Sequence, residues 1–271
     1  GDTLACFPYA LEFKKKHNCH LIVSTFWNKF FKNKYPELTF EEPGIEVPNL
    51  YAMYELGWYY DGETDILDKF KQPYDPKSFN LQQTATNILG LEYKEIIPKI
   101  EYKVKDRPCK EKYICISPHA SAGAKYWQHP TGWQDIIDYI NNTLKYKVLL
   151  ISHEGHNDSF HNSKLPGGKK LKNIVDFTGD HPIEDIMSII HHSELYIGVS
   201  SGLAWLTWAL NKPTLMISGF SSEWTEFSSK MTRIINKDVC NSCFNNHKLD
   251  AGDWNWCPSH KDTPRQFECT K

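Results

Sequence analysis

The chain lacks any apolar run approaching the ~20 residues of a membrane span, so no spanning helix is expected. It also lacks the basic start followed by an apolar stretch that marks a secretory signal. No charge sign dominates: 31 Lys and Arg stand against 33 Asp and Glu, a formal net charge of −2. That balance offers no general polyanion footprint, and no nucleic-acid partner is expected. No internal repeat and no low-complexity tract interrupts the 271 residues, which excludes repeat architectures. An initiator methionine is missing too. The chain opens on Gly1-Asp2 and stops two residues after Cys269, and further sequence is expected beyond both ends.

Cysteine, by contrast, is plentiful. Four of the eight, Cys240, Cys243, Cys257 and Cys269, read C-x2-C-x13-C-x11-C in a segment rich in Trp, Asn, Asp and His. A C-x2-C pair lets two thiolates grip one metal from a tight turn, and a distant pair closes the tetrahedron. Soft thiolates select zinc or iron, and a closed all-cysteine set leaves no catalytic position open. Two disulfides or free thiols are the alternative, and the compartment decides. Cys6, Cys19, Cys109 and Cys115 sit singly in apolar or strand-like contexts, which speaks for a reducing cytoplasm with one metal cluster. His247 and His260 lie inside the segment as competing ligands.

The second half of the chain alternates. Tyr113–Ser117, Lys147–Ser152, Asn173–Asp176, Glu194–Gly198 and Pro213–Ile217 read as buried strands. Helices are predicted over Gly132–Leu144, from Pro182 with proline in the first turn, and over Leu203–Leu210. Such alternation means a parallel α/β sheet covered on both faces. The first hundred residues are less regular. A helix from Thr3 to about Lys16 leads into the strand His20–Ser24. A short strand at Leu38–Phe40, a Pro/Tyr-rich stretch over 43–76 and a helix over Phe79–Leu89 follow. The charged run 103–112 reads as a linker. The expected domains are Rossmann-like units over 1–105 and 111–237, then a four-cysteine metal lobe over 238–271.

Three strand ends carry usable chemistry. Val199-Ser200-Ser201-Gly202 runs straight into a helix, whose free N–H groups suit a pyrophosphate; a plain N-cap at Ser200 or Ser201 is the alternative. Pro118-His-Ala-Ser-Ala-Gly-Ala-Lys125 is a second small-residue loop, with a cation able to neutralise a phosphate or to stand simply in solvent. His153-Glu154-Gly155-His156 offers a carboxylate to ribose hydroxyls.

These runs, with V-D-F-T-G-D and L-Y-I-G-V-S-S-G-L-A-W-L-T-W-A-L-N-K-P-T, resemble the heptosyltransferases of glycosyltransferase family 9. The opening G-D-T-L-A-C-F-P-Y is similar to their start. The cysteine segment points to one branch, the bacterial autotransporter O-heptosyltransferases, which carry a cysteine-bound iron finger. The resemblance implies a GT-B fold, two Rossmann-like domains facing a cleft, in a bacterial cytoplasmic enzyme. It implies Asp2 as general base, where the bare sequence suggests a helix N-cap. It implies Ser121 in donor binding, Lys125 at the donor phosphate and sugar, Glu154 at the nucleoside, and Ser200, Ser201 and Gly202 at the diphosphate. Cys240, Cys243, Cys257 and Cys269 would hold iron, or zinc instead. Where the lipopolysaccharide enzymes have D-[ST]-G, this chain has Ser200-Ser201-Gly202, a departure that bears on the donor sugar.

The function so implied is inverting transfer of heptose from the nucleotide sugar ADP-heptose to Ser or Thr of an autotransporter passenger protein, by a homo-oligomer. Transfer to lipopolysaccharide core or another glycan is a second reading. A non-catalytic module that docks a protein through its metal lobe is a third.

Overall fold

The computed structural model describes residues 1–58, 68, 70–153, 170–249 and 254–271. Two compact units divide the chain: Gly1–Tyr102 with Trp224–Phe227, and Lys103–Glu223 with Ser228–Lys271.

In the first unit, α1 (Asp2–Cys6) and α2 (Pro8–His17) replace the single helix predicted from Thr3. Pro8 has no N–H to return to the preceding turn, so the hydrogen-bond ladder breaks there. Phe7 keeps a right-handed backbone (φ −54°, ψ −42°) and stacks on Phe31 with ring centroids 3.7 Å apart. The strands β1 (Ile22–Ser24) and β2 (Thr39–Glu41) pair in parallel, Ile22 opposite Thr39. Helix α3 (Leu81–Leu89) starts two residues later than expected because Asn80 caps it, its side chain accepting from the Gln83 N–H at 2.7 Å. Among the described residues this unit has a two-stranded sheet, where a Rossmann-like domain is expected over 1–105.

The second unit contains β3 (Tyr113–Ser117), α4 (Gly132–Tyr139, extended by a wide turn over Ile140–Leu144), β4 (Lys147–Ser152) and β5 (Val175–Thr178). Then come α5 (Ile183–His192), β6 (Leu195–Val199), α6 (Gly202–Ala209), β7 (Thr214–Ile217) and β8 (Met231–Ile234). The six strands are all parallel, in the order β5-β4-β3-β6-β7-β8. β5 begins two residues after its expected start because Asn173 adopts a left-handed backbone, φ 60°, that no strand accommodates. Pro182 precedes α5 in extended geometry instead of opening its first turn. The edge strand β8, Met231-Thr-Arg-Ile, alternates half-buried and exposed residues and escapes a search for apolar runs.

On one face of the sheet α4 lays Trp133, Ile137 and Ile140 against Ile114, Ile116, Val148 and Leu150, a contiguous buried cluster. Ile137 is fully buried there. Truncating it leaves a cavity that the rigid sheet cannot refill, so Ile137→Ala is expected to cost ~2–5 kcal/mol in urea unfolding. A fall in stability of that size with unchanged m is the result expected.

Candidate functional site

The strand order reverses between β3 and β6: β4 and β5 lie to one side, β7 and β8 to the other. In open parallel sheets the ligand crevice opens at the carboxyl ends of the two strands that flank such a reversal. Here those ends are adjacent in register, Ser117 opposite Gly198. The loops over 118–127 and 199–202 therefore leave the sheet side by side. β4, on the far side of β3, ends at buried Ser152.

The β6 loop makes an abrupt turn into α6. Ser200 is buried, and Ser201 is the N-cap, its hydroxyl accepting from the Ala204 N–H at 3.4 Å. Gly202 is exposed at the first helical position. The first-turn N–H groups lack intrahelical partners and sit at the positive end of the helix dipole, so the turn suits an anion. Beneath it, Gly198 makes room for the Tyr196 ring: an added Cβ would fall 2.6 Å from the phenol oxygen. Burial pushes that phenol up to about 12, so it serves as a neutral prop.

The β3 loop is buried as far as Ala120, exposes Ser121, and tightens into a turn over Gly123–Lys125. Lys125 is half-buried, and its ammonium lies 6.0 Å from the centroid of the Phe244 ring. Glu154 falls outside the described residues. Asp2, in the first unit, is exposed within the first turn of α1, and the N-cap position belongs to Gly1. The capping role that the bare sequence suggests for Asp2 is therefore not taken up.

The cysteine segment packs on the sheet unit. Cys243 joins Ala124 and Phe220 in a buried cluster flanked by Phe244, Leu249, Trp254 and Phe267. Trp254 meets Phe220 edge-on at 5.2 Å, whereas Trp256 stays exposed under Lys261. None of the eight cysteines forms a disulfide. Burial, then Glu268, Cys269 and Cys243, pushes the Cys240 thiol up to about 12. Burial, then Cys243 and Cys257, pushes Cys269 up to about 11. Burial is the leading cause in both, and neighbouring thiols add to it. The donor chemistry fits a thiophilic metal.

Among the described residues, however, the donor group that comes together is mixed: donor atoms of Cys240, His260 and Glu268 lie within 4.8 Å of one another, and Cys243, Cys257 and Cys269 are not part of it. Glu268 is the member that the cysteine spacing does not reveal; a hydrogen bond from Arg265 draws its carboxylate down to about 2.

Two further residues position the segment. Gly219 approaches Cys269 so closely that a Cβ would fall 2.2 Å from its carbonyl oxygen. Arg233 of β8 donates to Ser218 at 2.8 Å, steadying that connection.

Residues 72–251 match the profile of glycosyltransferase family 9 (heptosyltransferase). The chain belongs to this family. Within it, the chain is 35% identical over 281 residues to the autotransporter heptosyltransferase BAHTCr of Citrobacter rodentium, covering 100% of this chain and 64% of that one. It is 29% identical over 276 residues to BimC of Burkholderia thailandensis, described as an inactive autotransporter heptosyltransferase, covering 100% and 63%. Among solved structures it resembles TibC of enterotoxigenic E. coli, an iron-containing dodecameric glycosyltransferase also solved with ADP-D-beta-D-heptose. That match has TM-score 0.86 and 32% identity over 100% of this chain and 69% of TibC. The chain spans just under two thirds of the length of these two curated relatives. Its α/β fold is that of the family 9 glycosyltransferases.

Gly219→Ala is expected to push the cysteine segment off its seat, lowering thermal stability by the ~1–3 kcal/mol of an overpacked contact. Calorimetric melting of variant and parent checks this.

Proposed function

We propose that the protein is a heptosyltransferase that transfers heptose from ADP-heptose to Ser or Thr of an autotransporter passenger. The carrying observation is the pair of loops at the carboxyl ends of β3 and β6, one with a cation and one with a helix N-terminus. Support for the donor comes from TibC, solved with ADP-D-beta-D-heptose, and for the acceptor from the autotransporter heptosyltransferases that the chain matches along its whole length. One of these, BimC, is described as inactive, so transfer needs its own test.

In the reading proposed, the organisation is GT-B, with the sheet unit carrying the nucleotide sugar and the unit that holds Asp2 serving the acceptor. Asp2 takes the proton of the acceptor hydroxyl. The oxygen forms its bond to the anomeric carbon as the bond to the diphosphate oxygen breaks, inverting that carbon and releasing ADP. Lys125, the first turn of α6, Ser121, Ser200, Ser201 and Gly202 offset the charge that develops on the diphosphate. Glu154 contacts the nucleoside. Cys240, Cys243, Cys257 and Cys269 hold iron, or zinc in its place, as a closed structural site that takes no part in transfer. The working form is a homo-oligomer in the bacterial cytoplasm; the oligomer follows TibC, which is dodecameric.

The test is intact mass of a passenger fragment co-expressed with the protein in a host that makes ADP-heptose. Regular heptose-sized steps are expected with the parent. Asp2→Asn is expected to slow transfer by about 10²- to 10⁴-fold, the worth of a general base, with donor binding nearly unchanged. An unmodified passenger would move the acceptor to a glycan, and parental turnover in Asp2→Asn would remove the base assignment. Stripping the metal is expected to make residues 240–269 protease-sensitive while the sheet unit persists. Digestion followed by mass mapping reads this; a segment that stays resistant counts against a structural metal.

A further inference from the structure

The turn over Gly123–Lys125 has no side-chain cap of its own, so its leading N–H groups must find partners elsewhere. They find them in the cysteine segment. The Gly123 N–H donates to Asn255 Oδ1 at 2.9 Å, and the Ala124 N–H donates to the Trp254 carbonyl at 2.8 Å. Just beyond the turn, the Gln128 N–H donates to the Thr270 carbonyl, while its side-chain amide reaches back to the Gly123 carbonyl at 3.2 Å. Ala124 is buried beside Cys243 and Phe220. Lys125 leads directly out of this clamp.

The clamping residues are tied to the cysteines by the chain itself. Trp254 and Asn255 lie three and two residues before Cys257, and Thr270 directly follows Cys269. Whatever fixes Cys257 and Cys269 therefore fixes the acceptor groups that hold the turn.

We infer that the cysteine segment is a brace for the donor loop, with Asn255 as a positioning residue that sets the place of Lys125, so that metal occupancy and ADP affinity are coupled. The inference rests on the proposed reading of residues 121–125 as the donor loop. The coupling runs both ways. A metal that tightens the brace favours ADP, and ADP that engages the loop must raise the affinity for the metal by the same factor. Asn255 acts by accepting the Gly123 N–H.

Two measurements on the metal-loaded protein test this. The first is ADP affinity by calorimetry for the parent and Asn255→Ala, with metal content by elemental analysis. Asn255→Ala is expected to keep its metal and to weaken ADP binding about fivefold, the worth of one backbone hydrogen bond. Unchanged affinity with the metal retained would overturn the brace. The second uses the parent alone, so it survives a variant that fails to fold: metal affinity is measured by equilibrium competition with a chelator, with and without saturating ADP. Tighter metal binding with ADP is expected, and an equal affinity would overturn the coupling. A parent that binds no ADP at all would fault the donor-loop reading itself, an outcome distinct from either.

Discussion

A parallel sheet covered by helices on both faces has only its strand ends to offer a ligand, and everything specific about this protein follows from that constraint. Tyr113–Ser117 and Val148–Ser152 are buried along their whole length, so their side chains serve the core. Chemistry must sit in the loops beyond the strands. The reversal of strand order between β3 and β6 then selects two of those loops by splitting the helices that cover them to opposite sides. Lys125 and the Ser200–Gly202 turn occupy that place through topology, though 75 residues and more separate them in the chain.

The cysteine segment belongs to the same logic. A loop of small residues approaches a phosphate easily but holds no shape alone, since Gly123, Ala122 and Ala124 bring no side chain that could lock it. Its order has to be imported. The segment supplies it with backbone and amide acceptors, and Gly219 opens the space that lets the backbone at Cys269 come close. In the proposed reading, a metal held by its cysteines would stiffen such a segment without the large apolar core that a lobe of this size could not build.

Much of this was legible in the sequence, and the exceptions have physical causes. The limits of β3 and β4 can be read to the residue because continuous apolar runs have no other use in an α/β chain. β5 begins late at a left-handed Asn173, a backbone choice that composition does not announce. β8 is half-exposed with two apolar residues in four, below the threshold of any periodicity. At the site, the cysteine spacing and the Ser-Ser-Gly turn are local patterns and stand out. The bond from Gly123 to Asn255 joins residues 132 apart, and no local pattern encodes it. Asp2 shows the converse: a carboxylate at a helix start reads as a cap, yet the helix begins one residue earlier and leaves it exposed.

The brace also constrains how a diphosphate can be held. Loops of this kind often present their own N–H groups to phosphate oxygens. Here the N–H groups of Gly123 and Ala124 are already given to Asn255 and Trp254, and those of Lys125 and Tyr126 close the turn on Ala122 and Gly123. In the proposed reading, the β3 loop then meets the diphosphate through the Lys125 ammonium and the exposed Ser121 hydroxyl, and not through these four N–H groups. The rigid, oriented donors come from the first turn of α6 instead. Division of labour follows: α6 offers fixed partial charge worth ~0.3–1 kcal/mol at an exposed end, suited to holding a ground-state diphosphate. Lys125 brings a full charge on a long stem, which in the proposed reading suits it to follow the negative charge onto the departing diphosphate oxygen as the bond to the anomeric carbon breaks.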